Sequence, residues 1–272
     1  MSRINKIAEQ AALANRKLLI PYLVAGDPNL ETTSTLMHKL VGQGADIIEL
    51  GIPFSDPSSD GPIIQRGVER ALAKGTTVKQ VLGLVSEFRK TDTDTGIVLM
   101  GYLNPIEIMG YKAFAEAVSA AGVDGVLTVD LPPMEADELN AMMRAVKVDT
   151  IFLVAPTTRE ERVASIIEHC SGYLYYVSLK GVTGAALTDF GSVTANINKL
   201  RERTQLPIVI GFGIKDAQSA AAMGKLADGV IIGSALVEKI ALLADQVEHE
   251  SALLSDTIRV ISEAREALDK LV

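Results

Sequence analysis

The chain has 272 residues, 48% of them hydrophobic, and a formal net charge of −8 at pH 7. This composition excludes an intrinsically disordered chain, and the acidic charge without a basic cluster argues against nucleic-acid binding. The single cysteine, Cys170, excludes an intrachain disulfide and a cysteine-rich zinc site, and the three histidines are scattered. The first residues, MSRINKIAEQ, lack the apolar segment of a signal peptide, and no uncharged apolar run is long enough to span a membrane. We therefore expect a soluble cytoplasmic protein.

Short apolar, β-branched runs recur along the chain and predict strands that are covered on both faces, as parallel strands are. Eight runs fit this pattern: Leu18–Val24, Ile47–Leu50, Gly96–Met100, Gly125–Val129, Thr150–Val154, Leu174–Val177, Pro207–Ile210 and Val230–Ile232.

Amphipathic segments lie between these runs. The first helix is predicted at about Ile4 to Asn15 and the last at about Asp256 to Leu271, and Thr77–Lys90 has apolar residues at helical spacing. Thr158 with Glu161 predicts a capping box, and Asp216 is a candidate N-cap residue.

Eightfold strand–helix alternation predicts a (β/α)8 barrel with an extra N-terminal helix, in the α/β class. No change of composition or linker interrupts the chain, so we expect residues 1–272 to form one domain. A doubly wound sheet stays open as the alternative, because strand closure cannot be read from sequence.

The most informative segment is IIELGIPFSDPSSDGPIIQ, from Ile47 to Gln65. Glu49 lies near the carboxyl end of an apolar strand, where a barrel builds its active site, and because a carboxylate is costly to bury in an apolar run, a functional role is favoured. Asp60 follows in the Ile52–Gln65 loop and could face it across a pocket. Two facing carboxylates suit a proton-transferring enzyme, although Asp60 and Asp56 also fit ordinary turn chemistry.

Glycine-rich turns follow the last two predicted strands, Gly211-Phe212-Gly213 and Gly233-Ser234. Glycines let backbone N–H groups approach a ligand, and a helix N-terminus after each turn favours an anion. These turns predict a phosphate site, and Gly184, in the second long loop Ser178–Gly191, could close over the same anion.

Two further residues have competing interpretations. Lys180 could form a Schiff base with a carbonyl substrate, but an exposed loop lysine is the preferred interpretation, because no apolar shell lowers its pKa. Asp130, at the end of the fourth predicted strand, could be a third acid, but a structural role is favoured.

The blocks PYLVAGDP, ELGIPFSDPSSDGPIIQ, KGVTGA, GFGI and IGSALV occur in this order. Together they resemble the α subunit of tryptophan synthase over essentially the whole chain. The resemblance implies a lyase that splits indole-3-glycerol phosphate into indole and D-glyceraldehyde 3-phosphate without a cofactor of its own. It also implies an α2β2 complex, in which the partner β subunit carries pyridoxal phosphate.

The resemblance assigns roles to matching residues. Glu49 would be the general acid and base, Asp60 would bind the indole N–H, and Tyr175 would help to position the catalytic acid. The residues implied to bind substrate are Tyr22, Met100, Leu127, Thr183, Gly184, Phe212, Gly213, Gly233 and Ser234. The residues implied to face the partner are Asp56, Pro57, Asn104 and Pro132.

The sequence departs from the family pattern in two loops. Ser58-Ser59 replaces an apolar residue and an alanine, and Leu179-Lys180 replaces an arginine-containing pair. The alternatives left open are another phosphate-binding barrel isomerase or synthase, a Schiff-base aldolase that uses Lys180, and a partner-binding barrel with a vestigial site.

Overall fold

The structure is a computed structural model that describes residues 2–177, 190–211, 213–244 and 250–271. Within these ranges the strands are β1 (Leu18–Val24), β2 (Ile47–Gly51), β3 (Gly96–Gly101), β4 (Gly125–Thr128), β5 (Asp149–Val154), β6 (Leu174–Val177), β7 (Ile208–Gly211) and β8 (Gly229–Ile232).

Helices precede, connect and follow these strands in the described ranges. They are α1 (Arg3–Leu13), α2 (Leu30–Gly42), α3 (Pro62–Ala73), α4 (Val78–Phe88), α5 (Leu103–Met109), α6 (Tyr111–Ala121), α7 (Asp137–Ala145), α8 (Glu160–His169), α9 (Phe190–Arg201), α10 (Ala217–Gly224), α11 (Ser234–Ala244) and α12 (Glu250–Asp269), with a short 3-10 helix at Pro133–Glu135. No helix in the described part of the chain is both long and apolar enough to cross a membrane.

The strands form a closed parallel barrel. Each strand pairs with the next, and β8 pairs back with β1, where Leu19 is in register with Val230. The prediction of a (β/α)8 barrel is confirmed, and the doubly wound alternative is wrong. Because all strands run in one direction, their carboxyl ends open at a single mouth.

The barrel interior is a separate apolar cluster, filled by alternate residues of the strands and closed at the bottom by α1. Ile4 and Ile7 of α1 contact the space beside Gly125 and Gly96, the first residues of β4 and β3. These glycines leave room for the helix at the amino ends of the strands. The opposite, carboxyl end is left for a ligand.

The predicted strand boundaries agree with the structure to within one residue, but one cap prediction is wrong. Asp216 does cap α10, accepting from the Ser219 N–H at 2.8 Å. Thr158 does not cap α8, because its hydroxyl accepts from the Ala155 N–H at 2.9 Å, and the N-cap residue is Arg159. The last helix, α12, begins six residues earlier than predicted, at Glu250.

Asp124, directly before β4, ties that strand to β3. Its carboxylate accepts from the Ile97 N–H at 2.8 Å, while its own N–H donates to the Ile97 carbonyl at 2.9 Å. The same carboxylate is paired with Arg89 at 2.7 Å and with Arg3. This buried group therefore holds two strands, α1 and the end of α4 together.

The same two hydrogen bonds, one accepted by a side chain and one donated by the same residue's backbone N–H, also join β1 to β2, β5 to β6 and β7 to β8. The equivalent pairs are Asp46 with Leu19, Ser171 with Thr150, and Asp228 with Ile208.

We expect Asp124→Ala to lower the free energy of unfolding by about 2–4 kcal/mol, because it leaves the buried Ile97 N–H without its acceptor and removes the nearest carboxylate from the largely buried Arg89. Urea unfolding followed by circular dichroism measures the change. Asp94→Ala, at an exposed acid nearby, is the control and should stay within about 0.5 kcal/mol. Equal stability of the two variants would show that the network around Asp124 contributes nothing.

Candidate active site

Glu49 lies in the barrel interior near the mouth. It is 1% exposed, and its neighbours in register, Tyr22 on β1 and Val98 on β3, belong to the interior cluster. The hydroxyl of Tyr173, directly before β6, donates to Oε1 of Glu49 at 3.4 Å. Among the described residues, a long hydrogen bond from Tyr173 thus joins a carboxyl group that lies in a largely apolar interior.

Burial raises the pKa of Glu49 from 4.5 to about 8. Burial is the largest cause, and the value of about 8 already includes the hydrogen bond from Tyr173, which lowers the pKa, and the charge of Asp60, which raises it. A carboxyl group that takes up and releases a proton near neutral pH is suited to act as both acid and base.

Asp60 lies in the loop that connects β2 to α3, and it is partly buried. The hydroxyl of Tyr102 donates to Oδ2 of Asp60 at 3.0 Å, and the Gln65 amide donates to the Asp60 carbonyl at 2.8 Å. Burial raises the pKa of Asp60, while the Tyr102 hydrogen bond lowers it. The two carboxyl groups act on each other, since Asp60 contributes to the raised pKa of Glu49.

Two tyrosines cross the mouth over strand-end glycines. A Cβ at Gly51 would lie 2.3 Å from Oη of Tyr22, and a Cβ at Gly211 would lie 2.1 Å from Oη of Tyr175. Burial is the largest cause that raises the pKa of both phenols, and the charge of Glu49 adds to it. Both therefore stay neutral and present an apolar ring with a hydroxyl near the carboxylates.

An apolar wall adjoins these groups. Met100 on β3 is in register with Leu127 on β4, and both belong to the interior cluster together with Tyr22. Met100 is half-buried, so this wall reaches the open end of the barrel. Such a wall is suited to contact with a flat apolar group. Phe212, the fourth residue expected here, lies outside the described residues.

The turns after β7 and β8 have the backbone features of an anion site. Gly213 has a φ of +75°, in the left-handed region that favours glycine. Ser234 begins α11, where the carbonyl of Gly233 accepts from the N–H groups of Leu236 and Val237. The first N–H groups of such a helix point toward the mouth side and attract an anion. Gly184 and Thr183 lie outside the described residues, as does Lys180.

The residues expected to face a partner lie on successive loops at the mouth edge. Asp56 and Pro57 precede α3, Asn104 is on α5, and Pro132 precedes the 3-10 helix. Asp56 and Asn104 are exposed, and Pro57 and Pro132 are partly buried.

Two large apolar side chains are exposed beside these residues. Ile108 on α5 is 82% exposed, and Met134 in the 3-10 helix is 84% exposed. Asp130 has the structural role favoured above, because its carboxylate accepts from the Leu103 N–H at the start of α5, at 2.8 Å. It thereby fixes α5 to the loop that leads to Met134.

Tyr173 and Tyr102 are site residues that sequence reasoning missed. Tyr173 is two residues before Tyr175, so strand alternation extended by one residue would have placed both on the same face. Tyr102 directly follows β3 at the mouth, but nothing in its neighbourhood along the chain points to Asp60. In the described part of the chain, no three histidine, cysteine or acidic side chains cluster as metal ligands would.

A sequence model of the family described as "Tryptophan synthase alpha chain" matches residues 8–266. Over 271 residues, the chain is 54% identical to the tryptophan synthase alpha chain of Marinobacter nauticus, covering 100% of this chain and 99% of that protein.

Solved structures give the same result. The crystal structure of tryptophan synthase subunit alpha from Legionella pneumophila superposes with a TM-score of 0.90 at 44% identity, covering 99% of both chains. A chain of tryptophan synthase from M. tuberculosis, in its aminoacrylate-bound form, matches with a TM-score of 0.86 at 32% identity, covering 98% of this chain and 100% of that one.

Proposed function

The chain belongs to the family of tryptophan synthase alpha chains, and we propose that Glu49 and Asp60 carry the chemistry of its reaction. The reaction is a carbon–carbon lyase step of L-tryptophan biosynthesis, in which indole-3-glycerol phosphate is cleaved to indole and D-glyceraldehyde 3-phosphate. The observation that carries the assignment is the burial of Glu49, with a pKa of about 8, beside a second carboxylate at the mouth of the barrel.

Glu49 supplies the proton transfers. The protonated carboxyl first donates its proton to C3 of the indole, which forms the cationic indolenine. The resulting carboxylate then accepts the proton of the side-chain hydroxyl next to the bond that breaks. That hydroxyl carbon becomes the aldehyde, and the electron pair of the broken bond returns to the indole ring. Glu49 ends the cycle protonated, as it began.

Asp60 and the neutral surroundings lower the barrier. The positive charge of the indolenine spreads to the ring nitrogen, and an Asp60 carboxylate that accepts from the N–H stabilises it more than the neutral substrate. Tyr175 and Tyr22 line the site with uncharged side chains. Met100 and Leu127 pack against the apolar faces of the indole ring. Thr183, Gly184 and Phe212 have roles implied only by the family.

The phosphate of the substrate binds to backbone N–H groups at Gly213, Gly233 and Ser234, with the helix dipole of α11 contributing. An anion site made of backbone dipoles is compatible with the acidic net charge of this chain.

We expect Gly213→Val to weaken the binding of glycerol 3-phosphate at least about tenfold, because the side chain takes the space of the anion and strains a backbone at positive φ. Isothermal titration calorimetry measures the affinity. Gly75→Val is the matched control, since Gly75 also has a φ of +75° and lies in open space. Unchanged affinity in Gly213→Val would place the anion elsewhere.

This chemistry consists of proton transfer and charge stabilisation, so we propose that the chain uses no metal or organic cofactor, and that pyridoxal phosphate belongs to the partner. The test is to incubate the purified chain with indole-3-glycerol phosphate in the presence of EDTA and without pyridoxal phosphate. Release of indole and glyceraldehyde 3-phosphate in equal amounts is expected. Activity that requires an added metal or cofactor would contradict the proposal.

Family membership implies a β-subunit partner, and we propose an α2β2 assembly that uses the mouth-edge loops. Two exposed apolar side chains lie in the same connections: Ile108 is on α5 with Asn104, and Met134 is in the 3-10 helix that follows Pro132. Exposed large apolar groups on one edge of a protein are typical of an interface.

Ile108→Glu should weaken the binding of the β subunit about tenfold or more, because it places a charge in an apolar contact. Leu13→Glu is the matched control, since Leu13 is 89% exposed at the opposite end of the barrel. Surface plasmon resonance with immobilised β subunit compares the two. Equal losses would show that α5 is not part of the interface.

We propose that the protein is located in the cytoplasm. Recovery of the chain with cytosolic marker enzymes after cell fractionation is expected, and recovery with membranes or secreted proteins would contradict it.

A further inference from the structure

We infer that Tyr102 is a positioning residue for the reaction, which holds Asp60 in place through its hydroxyl group. The inference rests on the proposed role of Asp60. Tyr102 is 5% exposed and lies between the end of β3 and the start of α5, at the mouth of the barrel.

The hydroxyl of Tyr102 connects to two adjacent residues of the loop after β2. It donates to Oδ2 of Asp60 at 3.0 Å and accepts from the Ser59 N–H at 3.1 Å. The ring also packs against Phe54 of the same loop, with ring centroids 5.3 Å apart. One side chain thus fixes the loop through a backbone group, a carboxylate and an aromatic contact.

The backbone that carries Tyr102 is held on both sides. Tyr102 follows a paired strand directly, and the next residue, Leu103, has its N–H held by the Asp130 carboxylate at 2.8 Å. Asp60 lies instead in a loop of ten residues between β2 and α3. The barrel therefore holds the Tyr102 hydroxyl in place, and the hydroxyl in turn positions the loop that carries Asp60.

The Tyr102 hydroxyl also affects the ionisation of Asp60. The groups that interact electrostatically with Asp60 from the neighbouring strands are Glu49, Tyr22 and Tyr175, which are acidic or neutral. Within the described part of the chain, the Tyr102 hydroxyl is the group that lowers the pKa of Asp60 against the effect of burial. It favours the ionised form that the indolenine cation requires.

The test is Tyr102→Phe, which removes the hydroxyl and keeps the ring. Indole release by the full-length chain should fall about tenfold or more in kcat, with a smaller change in KM, because a hydrogen bond to a charged group is lost. The acid limb of the pH profile should move upward, because Asp60 then holds its proton to higher pH. Tyr111→Phe is the matched control, since Tyr111 donates to the Glu107 carboxylate at 3.1 Å on the neighbouring helix pair, and it should change neither value.

A double variant separates action through Asp60 from an independent effect. If Tyr102 acts through Asp60, Tyr102→Phe should cost nothing further in an Asp60→Asn background. Losses that multiply, or a single Tyr102→Phe variant with the native rate and acid limb, would overturn the inference. Asp60→Asn at the native rate would instead refute the proposed role of Asp60, so the two failures are distinguishable.

Discussion

Glu49→Gln should lower the rate of indole release by about 10²–10⁴-fold and stabilise the fold at alkaline pH. The substitution keeps the shape of the side chain and removes the group that gives and takes the proton. Activity of the native chain should in turn fall as pH rises through about 8, where Glu49 loses the proton that starts the reaction.

The stability effect follows from the raised pKa. Glu49 in the folded chain keeps its proton up to about pH 8, whereas the ordinary value is 4.5. The unfolded chain therefore releases this proton first, and native stability declines as pH rises from about 4.5 to about 8. Glutamine carries no such penalty. The gain in the free energy of unfolding of Glu49→Gln should grow over this interval and then stay constant.

Urea unfolding at pH 5 and pH 9 measures this difference. Glu9→Gln, at an exposed position of α1, is the control and should show no pH-dependent gain. A Glu49→Gln variant that is as active as the native chain, or that gains no stability at pH 9, would show that Glu49 is not a desolvated proton carrier.

Asp60→Asn should lower kcat by about 10²–10³-fold with little change in KM. The amide can still accept from the indole N–H, but it has no charge to balance the cation that forms during the reaction, so the loss concerns the transition state. Steady-state kinetics at the pH optimum measures both constants.

Glu69→Gln removes an exposed carboxylate from α3, the helix that follows the Asp60 loop, and should leave both constants within about twofold. An increase in KM at constant kcat in Asp60→Asn would mean that Asp60 serves only to bind the substrate.

Much of the fold could be predicted because its signals are local. The apolar runs mark the strands to within one residue, and the carboxylate of Glu49 stands out because a barrel strand has water on neither face. Closure of the barrel could not be read from the sequence in this way, because eight strand–helix repeats favour a barrel without excluding an open sheet.

The contacts that decide the site could not be predicted, because they join residues far apart in the chain. Tyr102 and Asp60 are separated by 42 residues, and Tyr173 and Glu49 by 124. The capping prediction at Thr158 failed for a different reason, because two local contacts compete for its hydroxyl group. The hydroxyl accepts from the Ala155 N–H and does not cap α8, and the sequence pattern does not show which of these two contacts forms.

The most direct test of the role of Glu49 is a measurement of its pKa. Carbon-13 NMR of the chain labelled at the glutamate side-chain carboxyl, with Glu49→Gln to assign the resonance, gives its titration curve. A midpoint near 8 is expected for this one carboxyl group in the free chain. A midpoint near the ordinary value of 4.5 would show that Glu49 is ionised at neutral pH, and it would contradict its role as the acid that begins the reaction.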